Sequence, residues 1–317
     1  MARKIAGIDL GGTKIFGARV RRDADGATVG DETKRPTPTT SVDDIVTAIA
    51  EVVAELGPTP DAVGIGTPGV IAPGSGVVEY APNLVGFDRP VPLADLVADA
   101  VGVPVVIGND VNMAALGEAR MGAGQGSADV LAVWMGTGLG AGLIVDGRLR
   151  VGPNGLAGEL GHVVVVPGGR RCACGGHGHL EAYIGRRSLE ARARELHAAG
   201  RRTDLVDRAG DDPMKSKVFS KAYATGDAVA VELIDEGLEM LAYAVANVLV
   251  VVDVTTVVIG GGLGERLGAV VVERLTERLA SLHYAGAAPT IVEASLGDHA
   301  GALGAAFHAD ERLVSAP

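Results

Sequence analysis

Apolar residues arrive in short runs along this 317-residue chain, and many of the runs end in glycine. The opening KIAGIDLGGTKIFGARV holds two such runs around DLGGTK, which predicts a β-hairpin with a glycine turn. A third strand is expected over 27–34. From 41 to 56, SVDDIVTAIAEVVAEL begins with a serine cap and acids in the first turn, and its apolar residues recur at helical spacing. GPTPDAVGIGTPG follows as a breaker cluster, a buried strand and a glycine-rich turn. Residues 92–101 predict a short helix, VPVVIGND a strand, and 111–121 a helix opened by Asp110. Strands and helices alternate, so an α/β domain is expected.

From residue 128 the pattern starts again: DVLAVWMGTGLGAGLIVDGRL is strand, glycine turn, strand, an echo of the opening. A second domain with a similar hairpin is implied. Beyond it, 181–199 predicts a charged amphipathic helix, 200–215 a polar loop and 228–252 a long helix with one apolar face. TVVIGGGLGERLGAVVVERLTERL then predicts strand, triple glycine and helix, and PTIVEASLGDHAGALGAAFHADE strand, turn and helix. The most apolar stretch, LAYAVANVLVVVDVTTVVIGGG, is interrupted by Asn247, Asp253 and two threonines, and predicts a buried helix running into a buried strand rather than a membrane span.

Composition narrows the class. Hydrophobic residues make up 47% and fill a sizeable core; glycine, at 47 residues, is about twice its average usage and implies many turns or close backbone approaches. A net charge of -11 argues against nucleic-acid or anionic-membrane partners, which select basic patches. The N-terminus has no signal-peptide pattern, so a cytoplasmic protein is expected. The only two cysteines, Cys172 and Cys174, fit a reducing compartment and are spaced poorly for a disulfide with each other.

Those cysteines lie in RRCACGGHGHLEAY with His177 and His179, four soft or borderline ligands within eight residues. Zinc accepts such donors, although the spacing matches no common finger, and two small apolar residues beside solvated imidazoles is the alternative. Three glycine turns, GIDLGGTK, VWMGTGLG and VVIGGGLG, follow apolar strands and allow backbone amides to approach a phosphate; each on its own is also an ordinary tight turn. GNDVNMAALGE places Asp110 after a buried strand at a helix start, as an N-cap carboxylate or as a general base at the carboxyl end of a strand. Asn109 and Asn112, Glu159 and His162 in NGLAGELGH, and Glu181 supply the donors and acceptors that a hydroxyl-rich ligand needs.

In order, DLGGTK, GTPG, NDVN, GTGLGAG, GELGH, CACGGHGHLE and IGGG closely resemble the ROK family of bacterial sugar kinases and related repressors, in the hexokinase and actin superfamily. The resemblance spans essentially the whole chain. It implies two actin-like, ribonuclease H-like α/β domains around a cleft, with the C-terminal helix returning to the first domain. The smaller domain would comprise 1–108 with about 303–317, and the larger 109–302 with a zinc site. It further implies ATP- and magnesium-dependent phosphorylation of a hexose 6-hydroxyl, glucose first, with mannose, fructose, allose or an N-acetylhexosamine as alternative substrates and polyphosphate as an alternative donor. A homodimer or homotetramer is the family expectation. Only eight residues precede Asp9, whereas a sugar-responsive repressor would carry a basic winged helix there.

Carried over position by position, Gly11, Gly12, Thr13, Lys14, Thr137 and Gly138 would meet phosphates, and Gly260, Gly261 and Gly262 the adenosine. Asp9 would help hold hydrated magnesium and Asp110 would be the base. Asn83, Asn109, Asp110, Glu159, His162 and Glu181 would contact the sugar. The family's structural zinc falls on His162, Cys172, Cys174 and position 179, where this chain has histidine in place of the usual cysteine.

Overall fold

The computed structural model describes residues 2–23, 26–282, 284–285 and 288–315. Strands β1 (Arg3–Leu10), β2 (Lys14–Asp23), β3 (Gly26–Pro36), β4 (Ala62–Thr67), the short pair β5 (Val70–Ile71) and β6 (Val78–Tyr80), and β7 (Val105–Asn109) form the first half. Its main sheet runs β3-β2-β1-β4-β7; the first two pairings are antiparallel and the last two parallel. Helix α1 (Val42–Glu55) starts where expected, with the Ser41 hydroxyl accepting the Asp44 N–H at 3.1 Å. Ile45, Ile49 and Val52 on its apolar face join Ile8, Ile15 and Ile65 from the sheet in one buried cluster. Helix α2 (Leu93–Val101) then leads into β7.

Helix α3 (Asp110–Met121) carries the chain into the second half, where β8 (Val130–Met135), β9 (Leu139–Val145), β10 (Arg148–Arg150), β11 (Thr256–Gly260) and β12 (Thr290–Glu293) repeat the arrangement. The order β10-β9-β8-β11-β12 again has two antiparallel pairings followed by two parallel ones. The hairpin echo in the sequence is therefore a repeat of topology. The helices of this half are α4 (Glu181–Ile184), α5 (Arg186–Ala198), α6 (Asp204–Ala209), α7 (Ser216–Ala224), α8 (Ala228–Val252), α9 (Gly261–Leu267) and α10 (Ala269–Leu282). Leu241 and Val245 of α8 and Leu275 of α10 pack with Leu131, Val133, Val257 and Ile259 of the sheet.

Four expectations need correction. The helix predicted over 181–199 is two, broken at Gly185, whose backbone is extended because the Arg186 and Arg187 N–H groups donate to the carbonyls of Gly136 and Thr137 in the β8–β9 turn. The polar loop over 200–215 contains α6, capped by the Thr203 hydroxyl, and Asp227 accepts from both Thr203 and the Asp204 N–H. The helix after the triple glycine begins within it and is interrupted at Gly268, where φ is +42°. The last turn of α8 is not buried: Val250 and Val251 face solvent. No helix among the described residues is long and apolar enough to cross a membrane.

The final helix, α11 (Ala300–Ser315), returns to the first sheet and lies on β1 and β4 while crossing α3. Its small residues make this possible. A methyl group on Gly7 of β1 would overlap the Ala302 carbonyl, and one on Gly64 of β4 the Ala305 carbonyl. Gly117 of α3 meets the Ala300 carbonyl in the same way, and Gly304 meets that of Met113. Glu118, fully buried, completes the joint by accepting the N–H groups of Ala123, Ser295 and Leu296 at 2.8, 3.0 and 2.8 Å, which ties α3 to the segment entering α11. Its charge is met by oriented backbone dipoles instead of a cation.

In an open helix Gly→Ala gains up to about 1 kcal/mol. At Gly304 the sign should reverse, because the added carbon falls on the Met113 backbone, and a loss of about 1–3 kcal/mol is expected for such overpacking. Urea denaturation of Gly304→Ala checks this; unchanged or raised stability would refute the close approach of α3 and α11.

Candidate active site

Each half carries a glycine turn where its first strand ends, after Leu10 in β1 and after Met135 in β8. The β1–β2 turn is pinned by the Gly11 N–H to the Lys14 carbonyl (2.9 Å), by the Thr37 N–H to the Thr13 carbonyl (3.1 Å) and by the Thr37 hydroxyl to the Gly11 carbonyl (2.6 Å). Gly12 lies so near the backbone of Asn83 that a Cβ there would stand 3.1 Å from its carbonyl oxygen. The Asn83 side chain is exposed beside the turn. In the second half, the Gly136 N–H donates to the Gly138 carbonyl at 3.0 Å, closing a turn with Thr137 at its tip. Glu181 sits beneath it and accepts the Leu139 N–H at 2.9 Å. The third turn, Gly260–Gly262, leaves β11 with Gly261 at φ +80°, a conformation that glycine adopts without strain.

Two carboxylates, Asp9 and Asp110, lie close enough to repel each other. Asp9 is half-buried near the end of β1, and its carboxyl is pushed up to about 7, first by withdrawal from water and then by the negative charge of Asp110, against the pull of Lys14. Lys14 is itself paired with Asp298 at 2.5 Å. Asp110 opens α3, and burial raises its carboxyl above the ordinary carboxylate range although the Val111 N–H donates to it at 2.9 Å. It is not the N-cap. That role belongs to Asn109, whose side-chain oxygen accepts the N–H groups of Val111 and Asn112 at 3.0 and 3.2 Å, while its amide donates to the Gly69 carbonyl at 3.3 Å. Asn109 ends β7 in extended backbone, which is the conformation that an N-cap takes.

Glu159 precedes and His162 ends a short 3₁₀ turn (Leu160–His162), with His162 Nε2 3.9 Å from a Glu159 carboxylate oxygen and both side chains exposed. A cavity of about 380 Å³ extends from Asn109, Asn112 and Glu159 along β7.

His162 also belongs to a cluster with Cys172, Cys174 and His179, whose donor atoms all lie within 4.8 Å of one another. The Cys174 sulfur is 3.2 Å from His179 Nδ1, and the two imidazoles meet edge to face at 5.4 Å. Backbone pairing folds the segment back on itself: Val165 N–H to Gly178 carbonyl, Cys172 N–H to Gly176 carbonyl, Leu180 N–H to Val163 carbonyl. Gly178, at φ +75°, interrupts the strand-like alternation between the two histidines, so His177 is exposed outside the cluster. Ideal tetrahedral zinc bonds of about 2.0–2.3 Å place ligand atoms roughly 3.3–3.8 Å apart. The two-sulfur, two-nitrogen set fits that metal after a small contraction. Both thiols are free, so no disulfide competes for them.

Sequence reasoning missed Glu118 and Asp298. An acid in the middle of NMAALGEARM carries no signal of the backbone amides that it will meet, and Asp298 acquires meaning only when the last helix returns beside Lys14.

Two halves of one strand order, each with a glycine turn after its first strand, define an actin-like fold. The ROK family model matches residues 5–312, and the chain belongs to the ROK family. It is 36% identical to a glucokinase of Streptomyces coelicolor over 96% of this chain and 97% of that one. Its fold is similar to the crystal structure of a ROK hexokinase from Thermus thermophilus, with a TM-score of 0.86, 32% identity and coverage of 99% and 100% of the two chains. It is likewise similar to a ROK family glucokinase from Streptomyces griseus in complex with glucose and AMPPNP, with a TM-score of 0.75, 35% identity and coverage of 97% and 99%.

The state of Asp9 makes a testable prediction. Its folded-state pKa of about 7 exceeds the ordinary carboxylate value, so between about pH 4 and 7 the folded protein holds a proton that the unfolded chain releases, and stability falls as pH rises through that window. In magnesium- and nucleotide-free buffer, Asp9→Asn should remove that part of the slope and be the more stable protein above pH 7. Parallel pH profiles of the two proteins in urea denaturation would contradict the assignment.

Proposed function

We propose that this protein transfers the γ-phosphoryl group of ATP to the 6-hydroxyl of a hexose, with glucose the first substrate to test. The observation that carries the reading is the position of Asp110, just past the carboxyl end of β7 and close enough to Asp9, beside the first glycine turn, for the two carboxylates to repel. Gly11, Gly12, Thr13 and Lys14 on one side and Thr137 and Gly138 on the other would receive the triphosphate, and Gly260–Gly262 the adenosine. Asn83, Asn109, Glu159, His162 and Glu181 would hold the sugar. Asn109 brings only part of its amide to that task, since its oxygen caps α3.

The chemistry follows from these places. Asp110 accepts the proton of the attacking hydroxyl, and its raised pKa brings it closer to the operating pH, where a general base is most effective. Backbone amides of the turns meet the growing charge on the phosphate oxygens. Asp9 and Asp110, two carboxylates opposed by a single lysine, form a pocket of excess negative charge that suits a divalent cation. Asp9 would hold hydrated magnesium, which supplies charge neutralisation at the phosphates when bound. Closure of the two halves excludes water, the competing acceptor.

His162, Cys172, Cys174 and His179 would hold a structural zinc, with histidine standing in for the fourth cysteine of the family pattern. Held there, zinc would fix one nitrogen of His162 and leave the other for a sugar hydroxyl. The same reading puts the protein in the cytoplasm, as a homodimer or homotetramer.

A coupled ADP-release assay across glucose, mannose, fructose, allose and N-acetylhexosamines, with ATP and polyphosphate as donors, tests the activity and ranks its substrates. Asp110→Asn should fold and bind hexose normally but lose about 10²–10⁴-fold in turnover. Because the cap is Asn109, helix capping gives no other reason for that loss, and near-normal turnover would sink the assignment. Metal analysis should find about one zinc per chain, the stoichiometry of a single closed four-ligand site. His179→Ala should lower metal content and melting temperature together; zinc kept in that variant but lost from His177→Ala would name the wrong imidazole.

A further inference from the structure

The donor side of the cleft holds a cation without a task in the scheme above. Arg186 is the first residue of α5, and its guanidinium joins two segments: Nη2 donates to the Thr137 hydroxyl at 2.9 Å and Nη1 to the Met214 carbonyl at 2.6 Å. Its backbone is fixed as well, because its N–H reaches the Gly136 carbonyl at 3.2 Å and that of Arg187 the Thr137 carbonyl at 3.0 Å. Met214 leads to Ser216, which faces the third glycine turn: a Cβ on Gly262 would lie 3.6 Å from the Ser216 hydroxyl oxygen. The guanidinium thus bridges the Thr137 turn and the segment beside Gly262.

Both side-chain partners are neutral. Among the described residues Arg186 forms no ion pair, although acids outnumber bases 39 to 28 in the chain and the nearby Arg192, Arg194, Arg201 and Arg208 are each paired with a carboxylate. A guanidinium has five N–H donors. Two are engaged here, and the remaining ones are free of any acceptor that carries charge. A fixed, uncompensated, half-buried arginine between two glycine turns offers what a phosphate chain needs: positive charge in a preorganised fork.

We infer that Arg186 binds the phosphoanhydride chain of the nucleotide donor, on the stretch between the Thr137 turn and the Gly260–Gly262 turn. The inference rests on the proposed ATP-dependent reaction and adds to it a donor-binding residue. An inorganic polyphosphate presents the same chemistry. The nucleotide is the occupant favoured here, because the Met214–Ser216 segment that Arg186 grips runs on to the turn assigned to adenosine.

Isothermal titration of the parent protein, Arg186→Gln and Arg186→Lys with adenosine, ADP, tripolyphosphate and glucose tests it. The expected result is an ADP dissociation constant raised roughly 10- to 100-fold in Arg186→Gln, the range for a lost hydrogen bond to a charged group, with adenosine and glucose affinities unchanged. Arg186→Lys should recover part of the loss, since it keeps the charge without the fork. Equal ADP affinity in the parent and both variants would overturn the role of Arg186 and leave the kinase reading standing. Equal weakening of adenosine and ADP would overturn it too, as the mark of a distorted turn. A parent that binds tripolyphosphate but not ADP would overturn the nucleotide as donor, and with it this assignment. Should Arg186→Gln fail to fold, Arg186→Lys decides by the same comparison of ADP with adenosine.

Discussion

The seat of α11 is the constraint on which the rest depends. A helix of alanines and glycines lies against β1, β4 and α3 at backbone contact distance, through Gly7, Gly64, Gly117 and Gly304. Close backbone approach of this kind leaves little freedom of position, because any displacement brings carbonyl oxygens into Cα atoms. Gly301 of the same helix faces the side chain of Asp9, with a Cβ there only 3.0 Å from the carboxyl carbon. The joint between the two halves and the acidic centre of the cleft are therefore one piece of packing. Buried Glu118 reinforces it from the far end of α3 without bringing in a second charge.

The sheets on either side of this joint have separate cores, one around Ile8, Ile49 and Ile65 and the other around Val133, Leu241 and Ile259. The Cys–His cluster draws together a smaller piece of the second half. It gathers side chains from residues 162 to 179, and Glu181 just beyond it accepts the Leu139 N–H next to the Thr137 turn.

Much of this architecture was legible in the chain because the signals were local. Alternation and glycine placed β1, β2, β8 and β9; the serine cap and helical period placed α1; length and one apolar face placed α8. Where the reading failed, a distant partner decided. The break at Gly185 is made by carbonyls of the β8–β9 turn, some 50 residues earlier in the chain, and no property of EAYIGRRSLEARARE announces it. The cap, one of two roles open to Asp110 in the sequence, falls to its neighbour for a simpler reason: Asn and Asp cap about equally well, and adjacent residues in GNDVN compete for one position. The resemblance to the ROK family named the acids and glycines of the cleft. It passed over Arg186, Glu118 and Asp298, whose surroundings exist only in three dimensions.

The central claim is that this cleft brings a hexose hydroxyl and a triphosphate together at Asp110. The most direct measurement is a crystal structure of the protein grown with glucose and AMPPNP. The account predicts the sugar 6-oxygen within hydrogen-bond reach of the Asp110 carboxylate, about 2.6–3.2 Å, with the triphosphate lying between Gly11–Thr13 and Thr137. Glucose seated elsewhere along the β7 groove, with its 6-oxygen remote from Asp110, would contradict it.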